Sequence, residues 1–479
     1  MRALWILCVA LIALAAPARA AGPVAWFIIV AEDGDVVGHA SERIVETPRG
    51  LQIIDEQVLK LRDRGAPPLR LVRRTVTTRD AAGGLQSIEI EGRQGRGRSL
   101  TTVRFEPGRA VISRQAGGDV RLEVVPLTPE VRFDDGRALL RAWNPAATPS
   151  ISYLTLNIEA LAVEQVVIEA VPGARPGADG RFPVLRRIYE NGQLRAIARL
   201  TLDRDHRVAA ITQPMFGTTV TIRPTDEATA LGPYQPYPLL ARTLTKSPFR
   251  IPGAAASGRI RYRFGFRDGI VFPFPVTADQ RATPGDAAAT VDVCQGCGPG
   301  LPTDPAYLAD ARRPTAWLQS DHPSLLAIAR PIAGLKVSEA RKMELLLDRG
   351  RRYLARMDFA GHFSALETIQ RGAGDCTEAA VLLAALGRAA GIPTRIANGL
   401  VYSREQYHGV SNVFMPHSWT LAYVDGEWRS FDLALGDFDA THIALTISDG
   451  DARSVATASQ LASLLQWQAM TQIKSRPTP

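Results

Sequence analysis

Alternating apolar and polar positions dominate the first half of the chain. Between residues 24 and 224, short runs such as LQSIEIEG, TTVRFEPG, ISYLTLNI and AIARLTLD alternate with period two, and Gly, Asp, Asn and Pro separate them. Period two is the repeat of a strand with one buried face, and the DG, GG and NG pairs between the runs are turn signals. The pattern predicts a mostly antiparallel β domain over residues 21–230.

Residues 231–302 keep strand-like pieces among many prolines and glycines. GRIRYRFGF and IVFPFPV are apolar enough to form strands, and VDVCQGCGPGLP places Cys294 and Cys297 in a Gly-rich turn. We therefore expect a β-rich connecting segment that carries a CxxC turn.

Helical spacing of apolar residues begins near residue 303. Ser320 or Asp321 can cap a helix that starts at Pro323, and residues 337–357 repeat apolar positions every three or four residues. Helix formers continue up to Gly391. This part of the chain is therefore predicted to be helical.

Strand patterns return after the helices, in RIANGLVYS, HSWTLAYV and EWRSFDLAL. Helices followed by strands predict an α+β domain, over residues 303–450. Residues 455–472 have the spacing of an amphipathic helix, so residues 451–479 are predicted to be a C-terminal helix and tail. The whole chain is predicted to be of the α+β class.

The first twenty residues, MRALWILCVALIALAAPARA, have the features of a secretory signal peptide. They combine an early Arg2, an apolar run and the small-x-small sequence Ala18-Arg19-Ala20. We expect cleavage after Ala20 and an exported protein, periplasmic rather than released.

The net charge is mildly positive. Lysine and arginine number 56 against 48 acidic residues, and removal of Arg2 and Arg19 with the leader leaves 54 against 48, a net charge of +6. The basic residues are scattered and form no tract or aromatic-interleaved stripe, so nucleic-acid binding is not expected.

Four cysteines are present, and cleavage after Ala20 would remove Cys8. Cysteines of exported proteins tend to pair, and Cys294 and Cys297 are close enough to pair with each other. A zinc half-site or a redox pair are the alternatives for this CxxC. Zinc would need two further ligands, and no second CxxC or HxxxH exists. Cys376 is then left as a free thiol.

Cys376 stands where a helix is predicted to begin. GAGDC precedes the helix-forming run TEAAVLLAALGRAAGIP, which stops at Gly391 and Pro393. Unpaired N–H groups at a helix N-terminus favour negative charge, so a thiolate there would have a lowered pKa, and the same groups could stabilise an oxyanion. Taken alone, Cys376 could equally be a small buried core residue.

Residues 414–435 form a predicted hairpin around the turn pair Asp425-Gly426. Closing the hairpin at this turn puts His417 and Asp432 on the same face as diagonal neighbours, within reach of each other's side chains. A single bulge would separate them. If the Cys376 helix packs on that face, a thiol, an imidazole and a carboxylate line up as nucleophile, base and orienting group.

These segments resemble the bacterial transglutaminase-like superfamily, whose core is related to papain-like cysteine peptidases. The resemblance covers residues 364–445 and rests on GDC at a helix start, GIPTR after that helix, HSW on a strand and DL in the next strand. It implies a papain-like α+β domain with a triad of Cys376, His417 and Asp432. It implies acyl transfer, with neither a metal nor an organic cofactor.

The resemblance also implies an oxyanion site. The Cys376 backbone N–H would supply one donor, and Trp419 and Gln370 are candidates for the second. Trp419 and Trp428 are otherwise expected to be core or groove-wall residues. His408 and His442 lack a spacing argument and are interpreted as surface or supporting residues.

The sequence therefore predicts an exported cysteine-dependent acyl-transfer enzyme that hydrolyses peptide or amide bonds. Transfer to an amine is one alternative, and a non-catalytic peptide-binding scaffold of the cell envelope is another. The N-terminal β domain would position the substrate or bind an envelope or membrane-protein partner.

Overall fold

The structure is a computed structural model, and the described residues are 23–48, 50–62, 68–94, 97–116, 119–133, 136–145, 147–158, 161–171, 173–215, 218–238, 244–357, 362–405 and 410–473. The predicted leader and His408 lie outside these residues. The chain divides into two compact units, one within Trp5–Arg242 and one within Thr243–Pro479. A sheet unit followed by a mixed unit confirms the predicted α+β class.

The first unit is built on one 16-stranded sheet, in the order β8-β7-β6-β5-β4-β3-β2-β1-β15-β14-β13-β12-β11-β10-β9, with β16 beside β3. Neighbouring strands are antiparallel except for the short pairings of β9 with β10 and β16 with β3. The strands are β1 (Ala25–Ala31), β2 (Val36–Thr47), β3 (Gly50–Arg62), β4 (Leu69–Arg79), β5 (Leu85–Gln94), β6 (Gly97–Glu106), β7 (Arg109–Ala116), β8 (Asp119–Pro126), β9 (Val131–Arg132), β10 (Ser150–Asn157), β11 (Ala162–Ala170), β12 (Phe182–Glu190), β13 (Gln193–Leu202), β14 (Val208–Met215), β15 (Thr218–Thr225) and β16 (Tyr237–Pro238). Two short helices accompany them, α1 (Arg137–Ala142) and α2 (Glu227–Leu231).

Alternation along the strands builds the core of this unit. Ile29, Ile222, Ile211 and Leu200 are successive cross-strand partners on β1, β15, β14 and β13, and all four are fully buried. Direct cross-strand partners share a face of the sheet, so the period-two pattern places these side chains together.

The second unit contains helices and smaller sheets. Its helices are α3 (Gly253–Ala256), α4 (Pro305–Asp310), α5 (Pro323–Ala333), α6 (Glu339–Arg351), α7 (Ala365–Arg371), α8 (Cys376–Ala389) and α9 (Ala452–Ser463). Its strands are β17 (Thr245–Lys246), β18 (Arg259–Phe266), β19 (Gln280–Pro284), β20 (Ala288–Val293), β21 (Arg356–Met357), β22 (Ala373–Gly374), β23 (Thr394–Ser403), β24 (Val413–Val424), β25 (Glu427–Phe431), β26 (Ile443–Ser448) and β27 (Leu465–Ile473). No helix among the described residues is long and apolar enough to span a membrane.

A five-stranded sheet lies at the centre of this unit, in the order β17-β24-β23-β26 with β25 beside β24. Helix α8 packs on it, because Thr420 on β24 donates a hydrogen bond to the Ala380 carbonyl and Ala422 belongs to the same buried cluster as the helix. Pro323 begins α5 as predicted, but the cap is His322, whose ring accepts from the Ser324 N–H. Ser320 and Asp321 do not cap it.

The tail differs from its prediction. A helix was expected over residues 455–472, yet α9 ends at Ser463 and Leu465–Ile473 is a strand beside β18. Trp467 contacts the rings of Phe264 and Tyr262 on β18. Residues 465–473 also fit a period-two pattern, and pairing with β18 decides in favour of the strand.

Residues 231–302 do not form a separate connecting segment. Tyr237–Pro238 pairs with β3 of the first unit, whereas β18, β19 and β20 form a sheet with β27 in the second. The division between the compact units falls between residues 242 and 243.

Candidate active site

Cys376 is the first residue of α8. Asp375 caps the helix by accepting from the Thr377 N–H at 2.7 Å, and Glu378 accepts from the Asp375 N–H at 2.9 Å, which completes a capping box. Glycine is needed at 374, because a Cβ there would lie 2.5 Å from the Glu378 Cβ. The GDC sequence thus fixes the helix start and places a half-buried thiol on its first turn.

The thiol reaches β24 at Ser418, the residue next to His417. The Ser418 backbone N–H is close enough to the Cys376 sulfur to favour the thiolate, and the Asp432 charge is close enough to disfavour it. The sulfur, the strand that carries His417 and the Asp432 carboxylate therefore meet in one place.

The pKa of Cys376 lies well above that of an ordinary thiol. Burial is the largest cause, followed by the negative charges of Asp375, Asp432 and Glu378, and together these outweigh the Ser418 N–H. The lowered pKa predicted from the helix N-terminus is therefore wrong. The same short loop that caps the helix also brings carboxylates beside the sulfur, and burial penalises a charged thiolate.

Glu378 holds its proton more tightly than an ordinary carboxyl group does. Burial, and then the charge of Asp375, raise the pKa of Glu378 well above its usual range. Its two oxygens accept from the N–H groups of Phe363 and Asp375, both at 2.9 Å. A proton held by Glu378 lets it complete the capping box without a second full charge beside Asp375.

The hairpin has the predicted register. Asp425 and Gly426 have φ angles of 52° and 91°, as a two-residue hairpin turn requires, and the pairing runs from Val424 with Glu427 to Thr420 with Phe431. Strand β25 ends there, one residue before Asp432.

His417 and Asp432 are joined by a hydrogen bond of 2.6 Å between Nε2 and Oδ2. The other carboxylate oxygen, Oδ1, accepts from the N–H groups of Ala434 at 2.8 Å and Leu435 at 3.0 Å. His417 is buried, and its Nδ1 has no hydrogen-bond partner among the described residues. One ring nitrogen is therefore held by the carboxylate while the other is left to act on a neighbour.

Residues 327–433 match the model of the transglutaminase-like superfamily. The chain carries a transglutaminase-like superfamily domain. The matched residues include Cys376, His417 and Asp432, in agreement with the resemblance seen in the sequence.

Two solved structures are similar to parts of the chain. A β-barrel-like protein of a domain of unknown function from Brucella abortus is 12% identical, with a TM-score of 0.33 over 42% of this chain and 95% of that one. A "putative cysteine protease" from Cytophaga hutchinsonii is 16% identical, with a TM-score of 0.28 over 47% of this chain and 89% of that one. A search of curated proteins gave no match.

Helix α8 of the transglutaminase-like domain does not pack on the predicted face of the hairpin. It contacts the face of β24 that carries Thr420, Ala422 and Val424, whereas His417 and Trp419 belong to the opposite face. The thiol still reaches the site, because the Cys376 end of the helix lies beside the Ser418 backbone.

His442 is the residue whose role sequence reasoning left open between surface and supporting. It is 2% exposed and contacts Asp432, so the structure agrees with a supporting residue. Its Nε2 lies 3.1 Å from Asp432 Oδ2, and its Nδ1 lies 3.1 Å from both the carboxylate and the carbonyl oxygen of Asp439. The spacing Asp439-x-x-His442, in the loop that begins at Asp432, was the available signal.

Electrostatics in this cluster favour charged groups. Burial raises the pKa of Asp432, but the charges and hydrogen bonds of His417 and His442 outweigh it and hold this pKa well below its usual range. Burial lowers the pKa of His442, but Asp432 and Asp439 outweigh it and raise the pKa to about 9. Asp432 is thus a carboxylate, and His442 an imidazolium, at neutral pH.

His417, Asp432 and His442 could together suit a metal ion, since one ligand atom from each lies within 4.8 Å of the others. Two histidines and a carboxylate are a known donor set for divalent transition metals. The short distances are already explained by two hydrogen bonds to Asp432 Oδ2. An ion on these residues would have to displace both hydrogen bonds and any proton on His442.

The oxyanion candidates differ in position. Trp419 is 2% exposed, its ring stacks near that of His417 with centroids 6.2 Å apart, and its Nε1 has no hydrogen-bond partner among the described residues. Gln370 is exposed on α7. Trp428 is a core residue, as expected, and donates from Nε1 to the Pro302 carbonyl.

Cys294 and Cys297 form a disulfide, and Cys376 is the free cysteine among the described residues. The disulfide turn is held by Asp279, whose Oδ1 accepts from the Gly296 N–H at 2.8 Å. The Oδ2 of Asp279 accepts from the Ser430 N–H at 3.1 Å. The turn is therefore tied to β25 two residues before Asp432.

Proposed function

We propose that the chain is a cysteine-dependent acyl-transfer enzyme that hydrolyses peptide or amide bonds with Cys376, His417 and Asp432. The observation that carries this proposal is the 2.6 Å bond between His417 Nε2 and Asp432 Oδ2, which leaves a buried Nδ1 without a partner beside the strand that the thiol reaches. An orienting carboxylate, a base and a nucleophile in this order are what acyl transfer needs.

The thiol is protonated at rest because of its raised pKa. Loss of that proton to solvent would leave a half-buried thiolate among carboxylates, whereas transfer to His417 would create an imidazolium near the thiolate. We therefore assign His417 as the general base that takes the Cys376 proton when the sulfur attacks the substrate carbonyl carbon.

Attack forms a C–S bond and moves the carbonyl π electrons onto oxygen. The Cys376 backbone N–H at the start of α8 would donate to that oxyanion, and the Trp419 Nε1–H, which has no partner among the described residues, is the side-chain candidate. The C–N bond then breaks, and His417 returns its proton to the leaving amine. A thioester on Cys376 remains.

Water completes the hydrolysis. His417 takes one proton from the water, whose oxygen attacks the thioester carbonyl, and the proton returns to the sulfur as the acid product leaves. A primary amine in place of water would give a new amide, which is the transglutaminase outcome. We favour water because no amine-binding feature can be identified in the sequence.

Export to the periplasm is part of the proposal. It is supported by the leader-like residues 1–20 and by the Cys294–Cys297 disulfide, since oxidising compartments preserve disulfides. We further propose a peptide or protein substrate, and an envelope or membrane-protein partner for the first unit.

The test is incubation of the purified protein with a peptide library and a fluorescent primary amine, followed by mass spectrometry. Cys376→Ser and His417→Gln should each lose at least about 10⁴-fold in rate, as other catalytic triads do. His322→Gln makes the same histidine change at the cap of α5 and should keep the wild-type rate.

The products separate the three candidate functions. New peptide termini support hydrolysis, and amine-labelled peptides support acyl transfer to an amine. Peptide binding without turnover, unchanged in Cys376→Ser, would overturn the enzyme proposal in favour of the scaffold.

A further inference from the structure

His442 has a place in the site that the proposed triad leaves unexplained. It lies beyond the matched residues 327–433, on the loop that joins Asp432 to β26. It shares the Asp432 Oδ2 atom with His417, at 3.1 Å and 2.6 Å respectively. The rings of His417 and His442 lie 5.5 Å apart between centroids at an interplanar angle of 67°, and both reach the same carboxylate oxygen.

The partners of His442 determine its charge. Nε2 faces a carboxylate oxygen of Asp432 at 3.1 Å, and Nδ1 lies 3.1 Å from the carboxylate and carbonyl oxygens of Asp439 and 3.2 Å from the Asp439 backbone N–H. A carboxylate on each side of a buried ring favours the protonated form, in which Nε2 donates to Asp432 and Nδ1 donates to Asp439. The charged or titratable groups that face His442 among the described residues are Asp432, Asp439 and His417. The two carboxylates at 3.1 Å therefore favour His442 as a buried cation.

Two consequences follow for the triad. With His442 bound, both Asp432 oxygens have two donors each, since Oδ1 takes the Ala434 and Leu435 N–H groups. The carboxylate cannot turn without breaking several hydrogen bonds. The cation also offsets the Asp432 charge, which disfavours the Cys376 thiolate.

We propose that His442 is a positioning residue, a buried cation that holds the Asp432 carboxylate toward His417 and offsets its charge near Cys376. The inference rests on the proposed function, since it concerns the same triad. It assigns to His442 no contact with substrate.

The first readout is independent of any substrate. The rate of Cys376 alkylation by iodoacetamide is measured against pH in wild type, His442→Gln, Asp439→Asn and the control His322→Gln. His442→Gln keeps an N–H donor near the Nε2 position but removes the charge, so its alkylation midpoint should move to higher pH. Asp439→Asn keeps His442 but weakens its hold on the proton, so its midpoint should move in the same direction by less. His322→Gln should match wild type.

The second readout is turnover of a substrate found with the peptide library. We expect His442→Gln to lower kcat about 10-fold to 100-fold, the usual cost of losing a group that orients a functional side chain, with KM nearly unchanged. Lysine at 442 restores the charge without the imidazole shape, and His442→Lys should recover the alkylation midpoint more than kcat.

The outcomes distinguish the possibilities. A folded His442→Gln protein with the wild-type midpoint and kcat would overturn the proposal, as would equal midpoint shifts in His322→Gln. If the His442→Gln protein does not fold, the Asp439→Asn variant provides the test. An alkylation midpoint of Asp439→Asn equal to that of wild type would also overturn the proposal. If chelator abolishes wild-type turnover, a metal on these residues replaces the cation. If Cys376→Ser keeps full turnover, the proposed function fails, while the midpoint shift still tests the role of His442.

Discussion

At the scale of single residues, the surroundings of Cys376 decide how its thiol behaves. A helix N-terminus alone favours a thiolate, but here burial and then the adjacent Asp375 charge raise the pKa of the thiol. The resting thiol is therefore protonated, and its activation depends on proton transfer to His417 rather than on the helix. Asp375 has two opposing effects, since it caps α8 and also disfavours the thiolate.

Alkylation of Cys376 should therefore require alkaline pH. We expect the wild-type rate at neutral pH to be lower than that of free cysteine and to rise only above the ordinary thiol pKa of about 8.5, because the folded protein raises the pKa of the thiol. Asp375→Asn removes the adjacent charge and should move the rise to lower pH. The check is iodoacetamide labelling across pH, quantified by mass spectrometry.

Asp425→Asn is the matched control, since it makes the same change at the hairpin turn, where asparagine also adopts a positive φ. The Asp425 carboxylate accepts from the Glu339 and Ala340 N–H groups, so thermal unfolding checks that this variant is folded. It should leave the alkylation profile of wild type unaltered. A wild-type midpoint below the ordinary thiol value would contradict the interpretation and would indicate a preformed thiolate–imidazolium pair.

At the scale of elements, the sequence predicts which strands pair, and in which register, better than it predicts which face of a sheet a helix packs on. The Asp425-Gly426 turn fixes the register of β24 and β25, so the meeting of His417 with Asp432 could be predicted from parity. The alternation along β24 does not determine which face of the sheet a helix covers. Helix α8 packs on the face that carries Thr420, opposite to the face that carries His417. In the tail, residues 465–473 fit both the apolar spacing of a helix and the period-two alternation of a strand, and they form a strand.

The spacing Asp439-x-x-His442 indicates that these two residues can meet, but the contact of His442 with Asp432 could not be predicted, for a related reason. Its position follows neither from a strand repeat nor from a turn signal, because it lies at the end of an irregular loop that returns to Asp432. Local propensity does not fix where such a loop closes. Only the folded chain brings Asp439, His442 and Asp432 together.

The disulfide turn should stabilise the element that carries Asp432. Replacing Cys294 and Cys297 by serine should lower the free energy of unfolding by about 2 kcal/mol, the chain-entropy value for so short a loop. It should also lower kcat, because the Gly296 N–H and the Ser430 N–H share the Asp279 carboxylate. Urea unfolding and peptide turnover measure the two effects.

Ser463→Ala, at the end of α9, provides a serine-to-alanine control in the same unit and should alter kcat by less than twofold. Turnover and stability that both stay at wild-type values in the double serine variant would show that the turn does not support β25.

At the scale of the whole molecule, β27 links the end of the second unit to its beginning. β27 pairs with β18 along nearly its full length, which joins residues 465–473 to residues 259–266. Trp467 lies against the rings of Phe264, Tyr262 and Phe414, and Phe414 is on β24, the strand that carries His417. The last strand of the chain therefore supports the sheet that builds the site.

A fragment of residues 243–463 should consequently fail to fold, whereas a fragment of residues 243–479 should fold and keep the alkylation profile of Cys376. Both fragments keep α9, and they differ in β27 and the residues that follow it.

The expected loss of stability is large compared with the total. Loss of a large packed aromatic residue costs about 3–5 kcal/mol, and loss of the β27 pairing with β18 adds to this, whereas the free energy of unfolding of an ordinary protein is about 5–15 kcal/mol. Circular dichroism, thermal unfolding and alkylation compare the fragments. Trp467→Ala in the longer fragment isolates the aromatic contribution and should lie between the two. If the shorter fragment unfolds cooperatively at the same temperature as the longer one, the site does not need β27 for its stability.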